Sequence, residues 1–464
     1  MMKKISRRKF IGQAGCATIG STTFFNSFFN LGMSSALASP SSKNDYKALV
    51  CILLAGGNDS FNMLIPGSIQ AYNEYQATRS NLSLAQADLL NLNFTDLNGK
   101  TYGLHPAMPD IQQLFNTGKA SFIANAGTLI EPTSKTQILN NSVPLPLGLM
   151  SHADQIQQWQ TSIPQSRSAR GWGGRVADIL STINTNQSIS MNISLGGTNV
   201  FQAGETAVEY AIRNEDNGSI GIDVYESTNF YDQILRNSVD NLLSQQYQDI
   251  FKQSYRDKVI QSQQSHLEFS TAIGSVPSFN TQFSNTKLSA DLHMAAKTIA
   301  ARNTLDMKRQ TFFIEIGGWD HHDEVLNNQM SMLTIVNNAL AEFQAAMEEL
   351  NISDSVTTFT ISDFGRTLTS NGNGSDHGWG GHALVMGGDL VAGKIVGEYP
   401  SLALGGNLEI GGGVLIPQIS TDEYFAELAL WFGLDPSDLS YVLPNIGNFY
   451  TPGSVNAPLG FLNL

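Results

Sequence analysis

The chain has 464 residues, with 26 Lys and Arg against 40 Asp and Glu and a formal net charge of −14 at pH 7. So acidic a surface repels nucleic acid and anionic membrane, although a small anion still binds where a local positive centre such as a metal overrides the average. Two cysteines exclude a disulfide framework, and the length exceeds the usual single core, a size that large α/β enzymes reach with insertions.

In chain order the first element is a targeting segment. Ser6-Arg7-Arg8-Lys9-Phe10 forms a basic start, a weakly apolar stretch interrupted by Gln13, Thr18 and Asn26 follows, and Ala36-Leu37-Ala38 precedes Ser39-Pro40. That is the order of a cleaved signal, and the paired arginines point to the twin-arginine route taken by proteins exported already folded. The expectation is a signal over 1–38 and a periplasmic or secreted chain over 39–464 without a membrane span, since an anchor needs a longer unbroken apolar run. Residues 1–38 hold five Lys/Arg and no acid, so the exported part carries −14 − 5 = −19. Cys16 falls in the signal, and Cys51, inside an apolar run, reads as a small core residue.

Lys47 to Leu54 is continuously apolar after its first residue and stops at Ala55-Gly56-Gly57, the pattern of a strand buried on both faces. Similar short runs recur at Ala120 to Ala124, Ile189 to Leu195, Thr311 to Ile316, Thr357 to Ile361 and Ala383 to Met386. Helices are expected at Ile111 to Phe115, around Gly174 to Leu180 and through Met330 to Leu350, and Ser420 to Glu423 is a capping box opening a last helix that Gly433 stops. Strands alternating with helices predict an α/β fold with a largely parallel central sheet and helices on both faces. Residues 205–308 change texture to Gln, Asn, Ser and Tyr with long helical periodicity, as in Asp240 to His266, and read as a helical insertion. The glycine-rich stretch Leu404 to Leu415 reads as a hairpin or late edge strands.

Acids and histidines fall directly after the predicted strands. The first strand ends in Gly56-Gly57-Asn58-Asp59-Ser60, and the one ending at Ile316 runs into Gly317-Gly318-Trp319-Asp320-His321-His322. Thr357 to Ile361 ends in Ser362-Asp363-Phe364-Gly365-Arg366, followed by Ser375-Asp376-His377-Gly378-Trp379-Gly380-Gly381-His382. Ligands of parallel sheets bind outside the carboxyl ends of strands, so these turns are expected to meet on one rim. Imidazole and carboxylate together suit first-row divalent ions, with Zn²⁺ or Mn²⁺ favoured. Asp59, Asp320, His322, Asp363, Asp376, His377 and His382 are therefore candidate ligands for one or two ions. Each alone also has a bland reading as a cap, ion pair or hydrogen-bonded surface group; the repetition in one topological place outweighs it. His105 and His152 read either as cleft-lining or as structural, His266 and His293 as structural. Trp159, Trp172, Trp319 and Trp379 read either as pocket walls or as core.

These segments, in this order, resemble the bacterial family called domain of unknown function 1501, which looks like a branch of the alkaline phosphatase and sulfatase superfamily. The resemblance implies an alkaline phosphatase-like fold and hydrolysis of phosphate or sulfate esters at two divalent metals. By position it implies Asp59 as the first-strand ligand, Asp320 and His322 as an acid–histidine pair, Asp363 as the later aspartate, and His377 or His382 as the terminal histidine. The superfamily has histidine directly after that aspartate, where this chain has Phe364, so Asp376-His377 stands in for it. Ser60 and His152 are candidate catalytic residues, with Thr128 and Ser151 as rival hydroxyls and an activated water as the alternative to all. Arg366 is a candidate to hold an anionic oxygen in bidentate fashion. The expected function is an exported metal-dependent hydrolase of a small anionic ester; the alternative is a non-catalytic exported protein of the same fold that binds a glycan or an assembly partner.

Overall fold

The computed structural model describes residues 45–464 apart from 216, 220, 223, 224 and 226. The expected signal over 1–38 lies outside the described residues. The strands are, in chain order, β1 (Lys47–Ala55), β2 (Leu64–Pro66), β3 (Leu90–Thr95), β4 (Thr101–Leu104), β5 (Ala120–Gly127), β6 (Asn192–Ser194) and β7 (Tyr210–Ala211). They continue with β8 (Arg309–Gly317), β9 (Val356–Ser362), β10 (Arg366–Ser370), β11 (Ser375–His377), β12 (Gly381–Gly387), β13 (Ile395–Val396) and β14 (Ile419–Ser420). The central nine-stranded sheet has the order β13-β5-β12-β9-β1-β8-β6-β7, with β14 also on β5. Its pairings are parallel except for those of β12, which runs antiparallel to both β5 and β9.

The unbroken apolar run of β1 puts it at the centre, because alternate side chains leave opposite faces of a strand and both faces are covered. Ala48, Val50, Ile52 and Leu54 enter one core with helices Pro109–Asn116, Lys287–Ala300 and Val325–Glu349. Leu49, Cys51 and Leu53 enter the other, with helices Trp172–Leu180, Thr421–Phe432 and Leu439–Val442. Cys51 is buried and free there. Trp159 and Trp172 belong to that second core, Trp319 to the first, and Trp379 to a small third cluster; Trp159 also lines a small cavity beside Ser60, Phe364 and His382.

The C-terminal helix Thr421–Phe432 has the expected capping box at Ser420 and Glu423, and ends at Gly433 with φ 111°. The glycine-rich stretch makes a minimal hairpin, with Glu409 bridged antiparallel to Leu415 and the N–H groups of Ile410 and Ile416 donating to the carbonyls of Val414 and Leu408. It wraps around the Glu409 carboxylate, which accepts N–H groups from Gly405, Gly411 and Gly413. One expectation is corrected. The continuous periodicity of Asp240 to His266 is broken into helices Phe230–Ser244 and Ile250–Gly274, because the Asp249 side chain caps the second by accepting from the N–H groups of Phe251 and Lys252. No helix among the described residues is long and apolar enough to cross a membrane.

Candidate metal centre

Three neighbouring parallel strands, β9, β1 and β8, end side by side, with Leu54 of β1 level with Ser362 and Ile316. Gly56, just beyond β1, ties their turns together. Its N–H donates to Asp363 Oδ1 at 2.9 Å, and its carbonyl accepts from Arg366. It adopts φ 123°, and a Cβ there would stand 2.5 Å from the backbone nitrogen of Asp320, so only glycine lets the β1 and β8 turns touch. The antiparallel ribbon β10–β11 folds over this junction with Arg366 opposite His377.

His152 opens the helix His152–Thr161, whose N-cap is Ser151. The residue before the cap, Met150, takes φ 69°, a left-handed conformation that costs energy for a non-glycine residue, and its carbonyl accepts from His377 Nδ1 at 2.9 Å. His152 Nδ1 donates to Asp363 Oδ2 at 2.5 Å, and His322 Nδ1 to Asp376 Oδ1 at 3.1 Å. Each of the three imidazoles thus has Nδ1 against an acceptor that needs a proton, which leaves the lone pair on Nε2.

Those lone pairs converge. His377 Nε2 lies 3.0 Å from His152 Nε2 and 3.0 Å from His322 Nε2. Asp320 Oδ1 is 3.0 Å from His322 Nε2 and 3.4 Å from His377 Nε2, and Oδ2 is 3.5 Å from His152 Nε2. Donor atoms of His152, Asp320 and His377 all lie within 4.8 Å of one another, with His322 adjoining through Asp320 and His377. Bare nitrogens this close repel unless a cation sits among them, and ligands about 2.0–2.1 Å from a tetrahedral ion stand about 3.3 Å apart. The group fits a divalent ion in charge as well: the carboxylates of Asp320, Asp363 and Asp376 against the Arg366 guanidinium leave a formal −2.

The surroundings hold this arrangement in place. Arg366 is buried and donates to Asp320 Oδ1 at 2.6 Å, to the Gly56 carbonyl at 3.2 Å and to the Ser375 carbonyl. Partial burial raises the Asp320 pKa, but the Arg366 hydrogen bond and charge, with His322 and His152, outweigh it and keep the carboxyl ionised below the usual range. Asp376 is also lowered, first by the Asn371 hydrogen bond and then, against burial, by His322. Burial lowers His377, so its neutral, metal-binding form prevails at neutral pH. The Asp320 and His322 side chains are 45% and 44% exposed, against 0% for Asp363, so the cluster opens to solvent above a buried floor.

Several sequence-based expectations change here. Asp363 and Asp376 do not point at the convergence; each anchors a histidine from behind, as carboxylates behind metal-bound imidazoles do. His152, expected as a catalytic residue, joins the donor set instead. Arg366 is buried and spends its donors on Asp320 and backbone carbonyls, so it holds the Asp320 carboxylate in place and does not present an open fork to an anion. Asp59 is buried, paired with Arg79 and within 3.2 Å of Ser375 Oγ, and lies outside the donor group. His382 is a core residue: its Nδ1 accepts from the Asn125 N–H, its ring stacks on Tyr399, and burial pushes its pKa down to about 3. Ser60 is buried, its Oγ accepting from the His382 N–H. Thr128 is buried, and Ser151 Oγ accepts from the Asp154 N–H at the helix cap. His105 is buried with a pKa lowered to about 4 and accepts from the Ala107 N–H. His266 and His293 sit in helices Ile250–Gly274 and Lys287–Ala300, away from the cluster's residues. Phe364 packs against both His152 and His377, ring centroids 4.8 and 4.7 Å apart, and fills their flank with an apolar ring. The Met150 carbonyl and the Arg79 partner of Asp59 carry no sequence signal.

The Asp363→Asn variant keeps the shape but weakens the anchor on His152; a drop of about 10–100-fold in metal affinity is expected. Calorimetric titration of the stripped protein with Zn²⁺ measures it, and an unchanged affinity would remove Asp363 from this role.

The fold and site define an α/β protein with a histidine–aspartate donor cluster on the carboxyl rim of a largely parallel sheet. The family described as "Protein of unknown function (DUF1501)" matches residues 46–443, and the chain belongs to it. No curated protein matches. Among solved structures the chain is similar to Ps i-CgsB in complex with a neocarrahexaose, at 11% identity and TM-score 0.34 over 84% of this chain and 72% of that one. It is also similar to the PsFucS1 sulfatase from a Pseudoalteromonas species (9%, TM-score 0.33, 87% and 71%) and to an alkaline phosphatase superfamily protein from Vibrio parahaemolyticus (11%, TM-score 0.29, 75% and 62%). Likeness at this level leaves the chemistry to the site's own geometry.

Proposed function

We propose that this protein is an exported hydrolase of small phosphate or sulfate esters that depends on one divalent ion, Zn²⁺ or Mn²⁺. The observation that carries the reading is the convergence of three Nε2 lone pairs on the Asp320 carboxylate. His152, Asp320 and His377, with His322 adjoining, would hold the ion, and a bound ion would supply Lewis-acid polarisation of the ester and a more acidic water. Arg366 keeps Asp320 ionised and aimed, and Asp363 and Asp376 keep the imidazole protons on Nδ1. The hydroxyls of Ser60, Thr128 and Ser151 are buried or engaged elsewhere, so the nucleophile is taken from solvent. Phe364 on the flank of His152 and His377 favours one ion over two. The twin-arginine segment supports export with the ion already loaded.

The test is metal analysis of the purified protein, with turnover of an aryl phosphate and an aryl sulfate before and after chelation. One equivalent of metal, with turnover lost on chelation and regained on reloading, is expected. Bound metal with no turnover of either ester would leave the non-catalytic glycan- or partner-binding reading; no bound metal after metal-replete expression would end the proposal.

A further inference from the structure

Helices Phe230–Ser244 and Ile250–Gly274 form a hairpin that the central sheet does not need. The first contributes no buried residue, and the second buries side chains only from Ser265 onward. The two are tied to each other, with Arg256 donating to the Leu243 carbonyl and the Tyr247 N–H to Gln253. Between them lies a groove of about 770 Å³, lined by Val239, Leu242, Tyr255 and Val259. Tyr231 and Leu235 extend the first stripe at helical spacing, and Phe251 extends the second. Phe230, Tyr231, Phe251 and Tyr255 are 68% to 83% exposed, and Ile234, Leu242 and Ile250 are about half exposed or more.

We propose that this hairpin is a dimerisation arm, its apolar face covered by the same face of a second copy to make a four-helix bundle. Two properties select a second copy. The first is charge. Residues 230–262 carry Asp232, Asp240, Asp249 and Asp257 against Arg236, Lys252, Arg256 and Lys258, a net of zero in a chain of −14. An interface between identical patches must complement itself, which mixed charge permits, and a neutral arm is where two acidic bodies approach with least repulsion. An anionic membrane, by contrast, calls for an excess of cations. The second is area. At about 150 Å² each, Tyr231, Phe251 and Tyr255, the exposed aromatics on the two stripes, offer about 450 Å². Leu235, Val239, Leu242 and Val259 on the same stripes raise this toward the about 800 Å² per partner that a stable interface requires.

Light scattering during gel filtration of the full protein tests this. The expected mass is twice that of one chain, falling twofold for Phe251→Glu and Tyr255→Glu. Leu242→Asp tests the other helix, and Ile69→Glu, 75% exposed in the helix Ile69–Arg79, should leave the dimer intact. Circular dichroism checks that each variant is folded. A single-chain mass for the unaltered protein would overturn the proposal, as would a dimer that survives the arm substitutions or dissociates equally with Ile69→Glu. Sedimentation of the protein with phosphatidylglycerol vesicles, abolished by Phe251→Glu, would overturn it in favour of a lipid surface.

Discussion

The His377→Ala protein is expected to lose at least ~100-fold in affinity for Zn²⁺ or Mn²⁺ while remaining folded, more than the 10–100-fold typical of losing an anchor behind a ligand. His377 is the hub of the cluster: its Nε2 lies within 3.0 Å of two other imidazole nitrogens and 3.4 Å from Asp320. Its removal leaves the donors of His152 and His322 without their shared neighbour. It sits on a short ribbon and is 28% exposed, so little apolar packing goes with it. Titration calorimetry reads the affinity, and a melting curve of the metal-free variant separates ligand loss from unfolding. Full metal occupancy in a folded His377→Ala protein would refute the assigned centre.

The Arg79→Met protein is expected to be destabilised by about 3–5 kcal/mol, because it strands a buried carboxylate. Arg79 and Asp59 are 0% and 1% exposed, and Arg79 also donates to Asn62 Oδ1 at 3.2 Å and to the Thr367 carbonyl at 3.0 Å. The substitution thus breaks a charge pair and loosens β10, the strand that carries Arg366. Urea denaturation measures the loss. Adding Asp59→Asn should recover part of it, since removing both charges costs less than removing one. Asp59→Asn alone should keep its metal, and a metal-free but folded Asp59→Asn protein would return Asp59 to the ligand set.

Much of the architecture was legible in the residues because its signals are local. An unbroken apolar run such as Lys47 to Leu54 can be satisfied only in the middle of a covered sheet, and the capping box at Ser420 acts within one turn of chain. The antiparallel course of β12 was not legible, since Ala383 to Met386 is an unbroken apolar run that reads the same in either direction. The clustering of acids and histidines behind strands pointed to the rim but not to each residue's place on it. Asp320 and Asp363 follow strands with equal sequence credentials. One faces the donors because Arg366 holds it there, and the other faces backward because His152 arrives from a distant helix to meet it.

The layered α/β plan and the rim on which acids and histidines gather are written in local pattern, because burial and strand-end position follow from it. That His152 belongs with Asp320 and His377, that Asp363 and Asp376 stand behind histidines, and that Asp59 and His382 are buried elsewhere came from long-range packing. The reason is that a donor set is a matter of where lone pairs converge. That is settled by contacts among residues up to hundreds of positions apart, such as 152 with 363 and 377, which no local periodicity encodes.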